Sequence, residues 1–135
     1  MKKIILIAVI VLTATSAFAG DFFGVQFGST PRKEMGKAVE SRNGVDTYLI
    51  DDKDRMFCDT IVSSPMFYYR NNRLFQGSFY FQHKERYEGV LRCLNSKYAK
   101  SGKDTWKAGD VTIRLRWSPE SLGIGGGDVT FTTRQ

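Results

Sequence analysis

The sequence contains few of the side chains that catalysis and metal binding usually require. It has a single histidine, His83, and two cysteines, Cys58 and Cys93. A Ser-His-Asp or Cys-His arrangement would have to include His83, and a zinc site would need several further ligands. His83 also lies where a strand pattern changes to a helix pattern, a position typical of a solvated side chain. The sequence therefore predicts no catalytic residue, no cofactor and no bound metal.

Long apolar segments are also absent. The longest apolar run covers residues 4–12, less than half of the about 20 residues that a membrane-spanning helix needs. It follows the basic residues 1–3 and precedes residues 17–19, which form an A-x-A cleavage signal. We therefore expect a signal peptide over residues 1–19, cleaved before Gly20, and no transmembrane anchor in the mature chain. The alternative, an uncleaved anchor, is not typical of this run or its flanks.

The excess of positive charge is modest in the expected mature chain. Cleavage removes Lys2 and Lys3, which lowers the net charge of +6 by two. Basicity of this size does not indicate nucleic-acid binding. The remaining length is sufficient for one domain with its own core. We therefore expect a single domain over residues 20–135, located in the periplasm or secreted.

Both cysteines belong to this expected mature chain. In an oxidising compartment, an isolated pair predicts a structural disulfide. Cys58 and Cys93 are too far apart in sequence for a C-x-x-C redox motif. A bridge between them would stabilise the fold by about 3–4 kcal/mol through the entropy of the unfolded chain. The alternative is two separate buried thiols.

A first helix is predicted after an aromatic extended segment at residues 22–28. Thr30 can cap this helix, and Pro31 suits its first position. Apolar residues then recur at spacings of three and four, which places them on one helix face. These residues are Met35, Ala38 and Val39. The pair at residues 43–44, Asn-Gly, is interpreted as the helix end.

Strand patterns and a second helix account for most of the remaining chain. After a polar turn at residues 51–54, a strand is predicted at residues 56–62. A hairpin at residues 66–81 turns at Asn71-Asn72, with a bulge at Gly77. The second helix covers residues 83–101 and ends before Gly102. Two final strands are predicted at residues 111–117, with alternating burial, and 129–133. The expected fold class is α+β: a twisted antiparallel sheet with two helices packed on one face, in the order β-α-βββ-α-ββ.

Three segments resemble a broad set of small bacterial periplasmic proteins. They are GVQFGST at residues 24–30, YRNNRL at residues 69–74 and LNSKYA at residues 94–99, where Ala99 replaces the glycine that often ends this helix. In layout the chain is similar to the small lipoprotein of the outer-membrane β-barrel assembly machinery and to the β-lactamase inhibitor protein. The resemblance implies a binding module with helices on a sheet, and it transfers no active-site residues to this chain.

Two further patterns resemble ligand sites but lack necessary residues. The aspartates at residues 51–59 lack the glycine and the closing glutamate of an EF-hand loop. The glycine-rich residues 123–127 are followed by neither Lys-Ser/Thr nor a predicted helix, so they lack the features of a phosphate-binding loop. We interpret the first as a charged turn and the second as a hairpin loop.

Aromatic and basic residues of the predicted sheet form the candidate partner surface. Aromatic residues occupy both alternation phases at residues 67–81, so some of them should lie on the face away from the core. Together with nearby arginines, they have a composition that is enriched at protein interfaces. The predicted surface comprises Tyr68, Arg70, Arg73, Tyr80, Arg114 and Arg116. The alternative is that helix and loops cover both faces and that the arginines protect an edge strand.

These features favour a non-enzymatic binding module of the periplasm. Its partner would be a protein or an anionic component of the cell envelope. One alternative is a small hydrolase acting on an envelope polymer, with catalytic carboxylates among Asp59, Glu85 and Glu88. A second alternative is an inhibitor of a secreted enzyme.

The signal-peptide hypothesis predicts the mass of the mature protein. Protein recovered from the envelope fraction of expressing cells should begin at Gly20, as measured by intact mass spectrometry, because the A-x-A signal directs cleavage there. Recovery of an uncleaved, membrane-embedded chain would contradict the hypothesis.

Overall fold

The computed structural model describes residues 20–134, so the predicted signal peptide at residues 1–19 lies outside the described residues. Within this part, the chain forms twelve β-strands and one α-helix. No helix among residues 20–134 is long and apolar enough to cross a membrane. The strands are β1 Asp21–Phe22, β2 Val25–Gln26, β3 Glu40–Arg42, β4 Val45–Tyr48, β5 Arg55–Phe57, β6 Thr60–Val62, β7 Met66–Arg70, β8 Arg73–Gln82, β9 Ala99–Gly102, β10 Thr105–Ala108, β11 Val111–Ser118 and β12 Gly126–Thr133, and the helix is α1 Lys84–Lys97.

Eight of the strands form one antiparallel sheet, in the order β3-β4-β7-β8-β12-β11-β10-β9. The other four strands form two separate hairpins, β1-β2 and β5-β6. The expected α+β layout with two helices, and with it the order β-α-βββ-α-ββ, is therefore wrong. The fold is mostly β, with one helix and one large sheet.

The predicted first helix is replaced by a short turn and a hairpin. Only Lys33–Met35 form a single 3₁₀ turn, which ends at Gly36 with φ of 66°. Asn43 and Gly44, with φ of 54° and 76°, form the turn between β3 and β4. Asn-Gly strongly favours such a two-residue hairpin turn, and this preference prevailed over the helical spacing of the apolar residues. Of these, Val39 is 60% exposed.

The predicted second helix is present but shorter, and two strands after it were not predicted. The helix ends at Lys97, and residues up to Gly102 belong to the edge strand β9, so the prediction of Gly102 as a helix-ending residue is wrong. All four residues of β9 are exposed, which removes the alternation that identifies a strand from sequence. The neighbouring strand β10 contributes Trp106, which is fully buried.

The hairpin formed by β7 and β8 confirms its prediction. Asn71 and Asn72 form its turn, with φ of 52° and 63°, which asparagine tolerates better than most residues. Tyr69 pairs with Leu74, whereas Tyr68 pairs with Gln76, so Phe75 has no partner on β7 and forms the bulge. The predicted bulge at Gly77 is therefore wrong.

Aromatic rings fill the space between the sheet and its covering elements. The ring of Phe22 lies 5.4 Å from that of Phe67 and 5.1 Å from that of Phe131. Gly77 lies under Phe22, and a Cβ atom at this position would overlap the ring. The absence of a side chain at Gly77 therefore allows β1 to approach the sheet closely.

A disulfide joins Cys58 to Cys93, as predicted. Cys58 lies in the turn of the β5-β6 hairpin, with φ of 55°, and Cys93 lies on the buried side of α1. The same two elements also meet at Gly89, where a Cβ atom would overlap the side chain of Thr60. The bridge thus fixes this small hairpin to the helix, and both cover the core face of the sheet.

Substitution of Gly77 should reveal the close approach of Phe22. Gly77→Ala should lower the free energy of unfolding by about 1–3 kcal/mol, because the added methyl group forces the ring to move. The measurement is urea denaturation. Gly102→Ala is the matched control in an edge strand, because its Cβ would lie 4.0 Å from the nearest heavy atom, and its effect should stay within about 0.5 kcal/mol. Equal effects of the two substitutions would contradict this packing.

Candidate functional site

The outer face of the sheet points away from α1 and is polar. On β11, Ile113 and Leu115 are at most 3% exposed, whereas Arg114 and Arg116 are exposed, as the alternation predicts. Cross-strand pairing places the outward-pointing residues of neighbouring strands side by side. The central part of the outer face comprises Tyr68, Gln76, Ser78, Tyr80, Lys107, Thr112, Arg114, Arg116, Asp128, Thr130 and Thr132.

Arg116 and Asp128 form a two-pronged ion pair on this face. They lie opposite each other on β11 and β12. Arg116 Nε donates to Asp128 Oδ1 at 3.1 Å, and its Nη2 donates to Oδ2 at 2.7 Å. These hydrogen bonds raise the pKa of the Arg116 guanidinium above its usual value. The carboxylate of Asp128 is therefore already neutralised by one arginine.

Arg114, in contrast, has no partner among residues 20–134. Its side chain is exposed and makes no hydrogen bond or ion pair in this part of the chain. Its cross-strand neighbours are Thr105 on β10 and Thr130 on β12, which carry no charge. The hydroxyl of Thr130 is likewise without a hydrogen bond within the described range. A free cation and a free hydroxyl thus lie side by side at the centre of the outer face.

Adjacent to them, a row of polar side chains crosses four strands. Lys107 Nζ donates to Thr112 Oγ1 at 2.7 Å. Thr132 lies opposite Thr112, and its Oγ1 donates to Gln76 Oε1 at 3.5 Å. These groups carry donors and acceptors on the sheet surface.

The two predicted tyrosines differ in accessibility. Tyr80 is 54% exposed and lies opposite Asp128. Tyr68 is half-buried, and its hydroxyl lies 3.2 Å from Ser78 Oγ and 3.6 Å from Met66 Sδ. Tyr80 can therefore offer its ring to a ligand, whereas Tyr68 is held within the protein surface.

The two remaining predicted arginines lie at the hairpin end of the sheet. The guanidinium carbon of Arg70 lies 4.5 Å from the centre of the Phe75 ring. Arg73 Nη1 donates to the carbonyl oxygen of Gly28 at 2.9 Å. Both side chains are exposed. The hydrogen bond to Gly28 fixes the position of Arg73, and a backbone carbonyl does not neutralise its charge.

Three separate surface depressions adjoin one another along β12, the third at the end of the sheet beside Phe27 and Gly28, and we call them together the β12 groove. The first, of about 480 Å³, shares Arg116 and Asp128 with the second, of about 640 Å³. The second shares Asp110, Thr133 and Arg134 with the third, of about 600 Å³. Of the six predicted surface residues, those lining the groove are Arg70, Arg73, Tyr80, Arg114 and Arg116. Tyr80 lines the first depression, Arg114 the second, and Arg70 and Arg73 the third, whereas Arg116 lines the first two. That these residues contact a partner stays a prediction.

Sequence reasoning missed the contribution of β12 to this groove. Asp128, Thr130 and Thr132 alternate with the buried Val129 and Phe131. The same alternation, applied to the intervening residues, would have placed them on the outer face.

The glycine-rich segment packs closely against aromatic rings. A Cβ atom at Gly125 would lie 2.5 Å from the ring of Trp117, and one at Gly127 would overlap the ring of Phe81. The prediction of a hairpin loop is only partly right, because Gly126 already begins β12.

Other titratable groups lie away from the groove or have internal partners. His83 is exposed, and its imidazole has no hydrogen-bond partner within residues 20–134. Asp51 accepts hydrogen bonds from the Arg55 side chain and from the backbone N–H of Lys53, both at 2.8 Å, which lower the pKa of Asp51. No group of three or more potential metal-ligating residues occurs in the described part of the chain.

Two of the three carboxylates named for a hydrolase lie near each other. Asp59 and Glu85 line a shallow depression of about 250 Å³, together with Arg86 and Arg92. Glu88 does not line it. This depression lies beside α1 and is separate from the β12 groove.

Comparisons with known proteins identify no relative. No protein-family model matches the chain, no curated protein is significantly similar in sequence, and no solved structure is significantly similar in fold.

Neighbouring substitutions on β11 should separate the two faces of the sheet. Arg114→Glu should change the free energy of unfolding by no more than about 0.5 kcal/mol, because the side chain is exposed and unpaired. Leu115→Ala should lower it by about 2–5 kcal/mol, because it creates a cavity in the core. Urea denaturation measures both. Unfolding of the domain by Arg114→Glu would show that the outer face is covered.

Proposed function

We propose that this protein is an exported periplasmic module without catalytic activity, and that it binds an anionic partner through the β12 groove. The observation that carries the proposal is the unpaired guanidinium of Arg114 at the centre of the outer face. A guanidinium presents several donors in a planar fork that matches carboxylate and phosphate groups. In this proposal, the N–H donors of Arg114 bind an anionic group of the partner.

Export is proposed from the leader-like pattern of residues 1–19, and the disulfide supports it. Bridges such as Cys58–Cys93 persist mainly in oxidising compartments outside the cytosol. The resemblance to small periplasmic proteins favours the same location, with a binding rather than a catalytic role.

The charge of the groove also favours an anionic partner. Its arginines include Arg73, Arg114 and Arg134, whereas its carboxylates are Asp110 and Asp128. Asp128 is already paired with an arginine. The groove as a whole is therefore electropositive, which attracts anions over distances up to the Debye length.

A hydrolase is the second candidate function. The observation that favours it is the shared depression of Asp59 and Glu85, because hydrolases of envelope polymers commonly use paired carboxylates. If this depression is a hydrolase site, the protein should hydrolyse an envelope polymer and Glu85→Gln should abolish that activity. If the binding proposal is right, the unaltered protein should show no hydrolysis.

The binding proposal can be tested with isolated cell-envelope fragments. The mature protein should co-sediment with them, and binding should fall as salt is added, because exposed charges are screened. Arg114→Glu should reduce the bound fraction strongly. Lys37→Glu is the matched control, since it makes the same charge change at an exposed position away from both the groove and the depression of Asp59 and Glu85. Equal loss of binding in both variants, or no binding by the unaltered protein, would overturn the proposal.

A further inference from the structure

The length of the β12 groove indicates an extended ligand. The groove follows β12 from Gly126 to Thr133 and continues to Arg134. At about 3.4 Å per residue, the strand alone spans about 24 Å. A single small anion would occupy only a fraction of this distance, whereas a linear polymer could follow it.

The floor of the groove excludes one common way of binding extended chains. Strand β12 is paired with β8 on one side and with β11 on the other. Its backbone N–H and C=O groups therefore cannot receive an added peptide strand, the usual source of affinity for an extended peptide. A ligand in the groove therefore contacts the side chains of β12 and not its backbone hydrogen-bonding groups.

These side chains suit a polymer that carries many hydroxyl groups. The floor offers the hydroxyls of Thr130 and Thr132 and the amide of Gln76, which can both donate and accept hydrogen bonds. The Arg116–Asp128 pair keeps further donors and acceptors fixed at the surface. Sugar hydroxyls also donate and accept, so they match this mixed floor better than a purely acidic chain does.

The two ends of the groove add an aromatic ring and further cations. Tyr80 lines one end and is 54% exposed, and an amphipathic ring of this kind can pack against the C–H face of a sugar. Arg73 and Arg134 line the other end, and Arg114 lies between the two. Anionic groups along the polymer would meet these guanidinium groups.

Resting on the proposed function, we infer that the ligand of the β12 groove is an anionic glycan, a linear polysaccharide that bears carboxylate, phosphate or sulfate groups. Arg114 binds one of its anionic groups, the threonine and glutamine side chains bind its hydroxyls, and Tyr80 packs against one sugar ring. The polymer lies along β12.

The test is a titration of the isotopically labelled mature protein, followed by two-dimensional NMR. The probes are a graded series of oligogalacturonates, neutral dextran oligomers of matched length, and polyglutamate of matched charge. Oligogalacturonates should shift the backbone signals of β12, and their affinity should rise with length until the groove is filled. Dextran should bind more weakly because it offers no anion, and polyglutamate should bind more weakly because it offers no hydroxyls.

Variants give the expected size of the effect. Arg114→Gln should weaken oligogalacturonate binding roughly tenfold, which corresponds to about 1.4 kcal/mol. Tyr80→Ala should weaken binding of long oligomers more than that of the shortest one, since only long oligomers reach both Tyr80 and Arg114. Lys37→Gln, before the edge strand β3, is the control and should bind as the unaltered protein does, because Lys37 is exposed and lines neither the groove nor the depression of Asp59 and Glu85. The same spectra show that each variant remains folded.

The outcomes separate this inference from the proposed function. If polyglutamate binds as tightly as oligogalacturonate and Arg114→Gln weakens this binding, the inference of a glycan ligand is overturned. The proposed function then stands, with an acidic protein segment as the anionic partner. Absence of binding by every anionic probe would overturn the inference, and unimpaired envelope binding by Arg114→Glu would overturn the proposed function as well.

Discussion

The large sheet is wider than the elements that cover it, and this constraint shapes the rest of the molecule. With strands about 4.8 Å apart, eight strands extend over about 34 Å, whereas a helix is about 10 Å wide. α1 therefore covers only part of the core face, and the hairpins β1-β2 and β5-β6 cover the remainder with Phe22 and Phe57. Nothing among residues 20–134 is left to cover the other face, so its side chains have to be compatible with water.

Close backbone contacts hold these small covering elements in place. Two-stranded hairpins are marginally stable by themselves, so β1-β2 and β5-β6 depend on their attachment to the sheet and to α1. Phe22 packs over Gly77, and Thr60 packs over Gly89. Beside the contact between Thr60 and Gly89, the disulfide from Cys58 to Cys93 of α1 adds a covalent restraint. The core face is thus built from parts that stabilise one another and would not fold separately.

Sequence reasoning succeeded where local chemistry and burial pointed to the same structure. The alternation of β11 and the Asn71-Asn72 turn were predicted because each carries its own signal. At Asn43-Gly44, helical spacing and hairpin preference disagreed, and the sequence alone did not show which would prevail. The edge strand β9 carries no burial signal, because all four of its residues are exposed, even though it pairs with β10 through a short local turn. The β12 groove was predicted only as scattered residues, since strand order decides which of them become neighbours.

The uncovered face explains why the groove is polar but not why its charges are arranged as they are. Solubility requires only that polar side chains face water, and an exposed unpaired arginine contributes little to folding. Yet Arg116 is matched with Asp128, whereas Arg114, two residues away on the same strand, faces only threonines. The fold therefore leaves Arg114 without a carboxylate partner on the outer face, and the proposed binding of an anionic partner depends on this arrangement.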